Sequence, residues 1–229
     1  MPESAHVRIN EVFHSIQGEG TRAGMPCVFV RLAGCPLRCT YCDTAYAFDE
    51  GRRMTLDEVF AAATAFDCPR VEVTGGEPLA QPAVYPLLDG LLERFKTVLL
   101  ETSGAVSIAR VDPRVVRIVD LKCPSSGESA RNDWSNIARL TPRDEVKFVI
   151  ATRADYEWAV GVVGEHALAA RCPVLFCPVT TPPRADRRAG APAALDPAVL
   201  AGWMLADRLD VRLGLQLHKM IWPDRQRGV

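Results

Sequence analysis

The chain has 229 residues, 48% of them hydrophobic and 24% charged, the balance of an ordinary folded protein, not of a disordered, collagen-like or coiled-coil one. Lysine and arginine total 27 against 28 aspartates and glutamates, a formal charge of −1, so no bulk field favours nucleic acid or an anionic membrane as a partner. No apolar run approaches the ~18 residues of a membrane span, and Glu3, Arg8, Glu11 and Glu19 leave no apolar signal core in residues 1–20, so the expected location is the cytoplasm. A chain of this length buries roughly 70% of its unfolded surface, and residues 1–229 are expected to form one domain.

Strands are predicted at 27–33, 70–74, 97–101, 115–122, 145–150, 173–179 and 211–218, several of them apolar on both faces, as parallel strands covered by helices are. Helices alternate with them. Thr55 and Glu58 form a capping box before a helix at 59–66. Residues 81–95 are apolar at helical spacing, with Pro82 and Pro86 in the first turns. Thr152 caps a helix at 155–163, and Asp196-Pro197 opens one at 200–209. Segments 124–135 and 182–197 read as loops, and 224–229 as a short tail. The alternation specifies an α/β fold with mostly parallel strands. A closed eightfold barrel needs about 250 residues, so the expectation is a partial, open TIM-like barrel.

Polar residues gather where these strands end: segment 35–42, Thr74-Gly75-Gly76-Glu77, Glu101-Thr102-Ser103-Gly104, Asp120-Leu121-Lys122 and His218-Lys219. In barrels that rim carries the chemistry. Of eight cysteines, Cys35, Cys39 and Cys42 lie within eight residues and the other five are scattered. A structural zinc site wants four ligands, so Cys27 or Cys68 would have to complete it. The alternative is a 4Fe–4S cluster held by three thiolates, its fourth iron left for a ligand.

The spacing CxxxCxxC after an early strand, with Tyr41 before the last cysteine and Gly75-Gly76-Glu77 at the next strand end, resembles the radical S-adenosylmethionine (SAM) superfamily. Segment 15–20, Cys42-Asp43-Thr44, segment 101–104, segment 120–124 and segment 216–223 narrow the resemblance to the 7-carboxy-7-deazaguanine synthase family, over about residues 11–223. That resemblance implies a radical SAM fold and a ring-contracting lyase. Its substrate would be 6-carboxy-5,6,7,8-tetrahydropterin, its product 7-carboxy-7-deazaguanine, made with loss of ammonia for queuosine. It implies that Cys35, Cys39 and Cys42 ligate the cluster, and that Tyr41, Gly75, Gly76, Glu77, Ser103 and Lys122 bind SAM. Glu77 would accept the SAM ammonium. Gln17, Glu19, Arg31, Glu101 and His218 would line the pterin pocket, and Thr44 would hold Mg²⁺. A flavodoxin or ferredoxin would donate the electron, and the chain would form a homodimer. The resemblance breaks at Cys177-Pro178, where some relatives have Gln-Pro, and at the tail after Pro223. Two rival functions are an activating enzyme that makes a glycyl radical on a partner protein, and a non-catalytic zinc module.

Only four of the 27 basic residues are lysine: Lys96, Lys122, Lys147 and Lys219. An ammonium inside the apolar run 145–150 is costly unless paired or facing a polar cavity. Lys122 and Lys147 are expected to face the barrel interior, with Lys219 a weaker candidate; the plainer expectation for Lys147 is an ion pair with Glu72.

Overall fold

Strands β1 (His6–Ile16), β2 (Pro26–Leu32), β3 (Arg52–Thr55), β4 (Arg70–Gly75), β5 (Thr97–Thr102), β6 (Val116–Leu121), β7 (Glu145–Ile150), β8 (Val174–Pro178) and β9 (Arg212–Leu213) form one sheet in the order β3-β1-β2-β4-β5-β6-β7-β8-β9. The structure is a computed structural model that describes residues 5–180 and 190–229. From β2 to β9 every neighbour is parallel; β1 runs antiparallel to both β2 and β3. The two ends of the strand order do not pair, so the barrel is open, as expected.

Alternation along each strand makes two cores. Val28, Val30 and Leu32 on β2, Val71 and Val73 on β4, and Val146, Phe148 and Ile150 on β7 face outward into the large core beneath the helices. Helices α1 (Leu56–Thr64), α2 (Val84–Leu92), α3 (Arg153–Glu165) and α4 (Pro197–Asp207) cover that face. The buried positions of α2, Val84, Leu87, Leu88 and Leu91, keep the three-and-four spacing of an amphipathic helix. The inner face carries a small apolar cluster, Phe13, Cys27, Phe29, Leu99, Val116 and Ile118. The remaining inner positions are mostly polar or charged.

The predicted caps are present: Thr55 with Glu58 and Thr152 with Asp155 as capping boxes, and Asp196 accepting from the Ala198 N–H. Other expectations are corrected. β1 and β3 are two strands the sequence reading omits. A bulge between Ile9 and Glu11 switches the phase of β1, so Val7 and Ile9 are outer-core residues whereas Phe13 is inner, and no single alternation runs through it. The strand expected at 211–218 shrinks to β9, and His218 and Lys219 lie on a short helix, α5 (Leu217–Ile221). After the Gly214 N–H bonds Phe176 O, the chain leaves the sheet and the Leu217 N–H bonds Gly18 O. The loop at 124–135 is a run of short 3₁₀ turns reaching Arg139. Of the loop expected at 182–197, residues 182–189 lie outside the described residues and 190–196 leads irregularly into α4.

One buried ion pair anchors the outer side of β6. Asp144 accepts from the Arg117 N–H at 2.8 Å, Nε at 3.0 Å and Nη2 at 2.5 Å, and from the Thr141 N–H and hydroxyl. Burial pushes the Asp144 carboxyl up, but these donors outweigh it and hold it below the usual range. Asp144→Ala should therefore lower stability by about 3–5 kcal/mol, because it strands a buried guanidinium; Arg114→Ala, at an exposed pair, should cost about 1 kcal/mol or less. Since the Asp144 pKa is depressed on folding, its contribution is complete above about pH 4 and disappears as the pH falls through its native pKa. Urea midpoints between pH 3 and 7 check both statements.

Candidate active site

A cavity of about 220 Å³ opens inside the barrel, and every candidate residue except Glu77 lines it. The cysteine loop follows β2 and is laced to segment 123–128: the Thr40 N–H bonds Ser126 O, the Thr40 hydroxyl bonds Ser125 O, and the Arg38 N–H bonds Glu128. Tyr41 is buried on Ala151 and Val179, its hydroxyl bonding Val149 O. Burial raises the thiols of Cys35 and Cys39, and burial with Asp43 beside it pushes Cys42 up to about 12. Among the described residues no three His, Cys, Asp or Glu side chains converge on a point for one ion, as a mononuclear zinc site requires. A cluster in which each thiolate takes a different iron has no such requirement.

The glycines of Gly75-Gly76-Glu77 serve the cysteine loop. A Cβ on Gly75 would lie 2.1 Å from Leu32 O, and one on Gly76 would lie 2.1 Å from Gly34 O and 3.0 Å from Cys35 Cβ. Backbone hydrogen bonds run from Gly76 N to Leu32 O and from Glu77 N to Gly34 O. Glu77 itself is fully buried, and its carboxylate accepts from the Leu79 N–H, the Thr102 hydroxyl, the Ser103 N–H and the Ser103 hydroxyl. Those four donors occupy it, so it holds strand ends together and does not present its charge to the cavity. The acceptor on the wall is Asp120. Its Oδ2 takes Lys122 Nζ at 2.8 Å, while its buried Oδ1 has no hydrogen-bond partner among the described residues. That oxygen fits a ligand hydroxyl or ammonium, and the wall around it suits a bound SAM.

Gln17 and Glu19 enter from the β1–β2 hairpin loop, which runs from the start of β2 to the start of β7. There Thr21 donates to Glu145 through its N–H and hydroxyl, and Arg22 pairs with Glu145 at 3.1 Å. The Gln17 amide is engaged at both ends, donating from Nε2 to Glu72 and accepting the Glu19 N–H at Oε1. Arg31 spends Nε on Glu11 at 2.8 Å and lies over the rings of Phe13 and Tyr46; among the described residues its terminal nitrogens have no hydrogen-bond partner, and both remain for an anion. The His218 ring lies where a Cβ on Gly18 would be, 2.0 Å from Nδ1. Burial lowers its pKa despite Glu19 nearby, so the imidazole is neutral.

Lys122 and Lys147 face the interior, as the scarcity of lysine implied. Burial lowers the Lys122 pKa, but Asp120 more than offsets it and the net shift is upward. Lys147 contacts Glu19 at 3.0 Å and Glu101 closely, and the expected pair with Glu72 is absent among the described contacts. In a third group, sequence reasoning gave a role to Thr44 but none to Asp43 or Gln216 beside it. Thr44 donates to Asp43 Oδ1 at 3.0 Å; Asp43 Oδ2 accepts from Lys219 at 2.5 Å and from Gln216 at 3.1 Å; and Gln216 also reaches Glu19 at 2.9 Å. The Lys219–Gln216 spacing on the His-Lys segment was the available signal. Without contacts it named no partner.

The Radical SAM superfamily model matches residues 30–163. The 7-carboxy-7-deazaguanine synthase of Chlorobaculum tepidum is 48% identical over the whole of both chains, and that of Koribacter versatilis is 45% identical over 97% of this chain and all of its own. The crystal structure of QueE from Escherichia coli superposes with a TM-score of 0.70 at 22% identity, covering 92% of this chain and 94% of that one. Streptococcus suis SuiB bound to S-adenosylmethionine shares the fold at a TM-score of 0.56 and 12% identity, over 80% of this chain and 48% of its own. The chain belongs to the radical SAM superfamily and, within it, to the 7-carboxy-7-deazaguanine synthase family.

Proposed function

We propose that the protein contracts the ring of 6-carboxy-5,6,7,8-tetrahydropterin to 7-carboxy-7-deazaguanine with loss of ammonia, as one catalytic unit spanning the chain. The observation that carries this reading is the meeting of three cysteines and a carboxylate-lined pocket in one cavity. Cys35, Cys39 and Cys42 would hold a 4Fe–4S cluster, which together with SAM supplies the one-electron, hydrogen-abstracting chemistry. Asp120, Lys122, Tyr41, Ser103 and the backbone at Gly75 and Gly76 serve the SAM side, with Glu77 fixing the strand ends behind them. On the substrate side, Glu101 accepts N–H groups of the pterin edge and the free nitrogens of Arg31 take a carboxylate. Glu19 and neutral His218 close the wall between them. The hairpin loop, fixed to the first residue of β7, narrows the cavity and favours a small substrate over a protein segment.

Thr44 serves Mg²⁺ in this reading. Its hydroxyl donates to Asp43, which leaves oxygen lone pairs for an ion that prefers oxygen and retains its waters. A flavodoxin or ferredoxin donor, a homodimer and a cytoplasmic location belong to the same proposal. Among the described residues no helix is long and apolar enough to cross a membrane.

Anaerobic incubation of reconstituted protein with SAM, reductant, Mg²⁺ and the carboxytetrahydropterin should yield the deazaguanine; no product would overturn the proposal. Cys39→Ala should lose both the cluster and SAM cleavage, and a variant retaining about four irons per chain with normal turnover would remove Cys39 from the site. Thr44→Ala should keep cluster and SAM affinity while flattening the Mg²⁺ dependence of turnover. An unchanged Mg²⁺ titration would show that Thr44 is not a ligand.

A further inference from the structure

Three neighbouring strands turn a carboxyl into the cavity: Glu72 from β4, Glu101 from β5 and Asp120 from β6, with Glu19 reaching in from the hairpin loop. Lys147 on β7 serves three of the four. It lies 3.0 Å from Glu19 Oε2, 3.7 Å from Asp120 Oδ2, and in close contact with Glu101 Oε1. Lys122, the other buried ammonium, is taken by Asp120. Glu72 has no cation of its own among the described residues. It is 4% exposed, its Oε2 accepts from Gln17 Nε2, and its Oε1 has no hydrogen-bond partner among the described residues. Glu101, by contrast, takes both Lys147 and the Thr74 hydroxyl.

Carboxylates sharing a poorly solvated site cannot all ionise, and the proton goes to the one without a counter-charge. The local fields agree. Burial, then the charges of Glu101 and Glu19, raise the Glu72 pKa. At Glu101, the upward push of burial is outweighed by Lys147, and the carboxyl is held low.

The geometry points to a donor–acceptor pair that reads the substrate ring: ionised Glu101 accepts its N–H groups, and neutral Glu72 donates the proton on Oε1 to an adjoining ring nitrogen or carbonyl. This rests on the pterin reading above and adds the residue that sets its specificity. A 2-amino-4-oxopyrimidine edge presents two adjacent N–H donors flanked by acceptors. Two ionised carboxylates could match only the donors. A neutral acid beside an ionised one matches the flank too, and it rejects a ring that carries N–H there by setting donor against donor. Lys147 decides which carboxyl plays which part, because it supplies charge to Glu101 and none in contact to Glu72.

The test compares Glu72→Gln, Glu72→Leu and Glu101→Gln in the SAM-loaded holoenzyme, by pterin Kd and KM, with SAM affinity as the check on folding. An amide at 72 keeps a donor, so Glu72→Gln should raise Kd about threefold or less, whereas Glu72→Leu should raise it about tenfold. Glu101→Gln replaces a charged acceptor and should cost about 10- to 100-fold. A second measurement does not depend on binding. The infrared carbonyl band of a protonated carboxyl should be present in the parent protein and absent from Glu72→Gln. Equal losses for Glu72→Gln and Glu101→Gln, an unmoved Kd in Glu72→Leu, or no such band would each overturn the inference. If the parent protein neither binds nor converts the pterin, the functional reading fails first, and that outcome is distinguishable from the other three.

Discussion

The rim of the barrel depends on a backbone contact that tolerates no side chain. The end of β4 presses against the root of the cysteine loop so closely that a methyl group at Gly75 or Gly76 would overlap the carbonyls of Leu32 or Gly34. From there Glu77 reaches under β5 to the Ser103 N–H and the hydroxyls of Thr102 and Ser103. Three strand ends are thereby tied at one point. The cysteine loop, the SAM-side residues and Glu101 all depart from those ends, so their mutual placement follows from this contact. A buried carboxylate with four donors is stable where an unpaired one would not be, which explains why the motif carries an acid that does not itself face the cavity.

The inner surface solves a different problem. Its apolar floor, with Phe13 stacked on Phe29 at 4.9 Å, supplies packing, while the wall above carries more acids than bases. Such a surface folds only if its charges are satisfied internally. Lys147 does this with an ammonium shared by Glu19, Glu101 and Asp120, and Lys122 with one given to Asp120 on its own strand. A guanidinium is larger and presents its donors in a fixed planar fork, so it would meet these three carboxylates with a different geometry.

Much of this was legible in the sequence, for physical reasons. The parallel strands are buried on both faces because each separates the outer core from the barrel interior, and several helix starts carry their own capping chemistry. Cysteine spacing located the chemical rim. The elements that escaped are those whose structure depends on distant partners. β1 changes face at its bulge, and β9 stops because the chain must lift toward Gly18. The hydrogen-bond relay from Thr44 through Asp43 to Lys219 and Gln216 joins residues more than 170 positions apart, beyond the reach of any local pattern. The four donors that meet at Glu77 were not legible either, because a motif gives a residue type and not the direction of its side chain.

The bulge in β1 also constrains how the gene can change. Val7 and Ile9 before it pack into the outer core, whereas Glu11 and Phe13 after it lie on the inner face, where Glu11 holds Arg31 at 2.8 Å. Removing the extra residue Asn10 would leave Ile9 opposite Leu32 and Glu11 opposite Arg31, with every face kept, whereas removing one residue beyond the bulge, at Val12, would send Phe13 and Ser15 to the wrong side of the sheet. Substitutions within β1 disturb one contact at a time, whereas a single-codon deletion beyond the bulge disturbs both cores together. Length in this strand is therefore constrained more tightly than identity everywhere beyond the bulge, and the bulge itself is a point where a residue can be lost without moving a side chain to the other face.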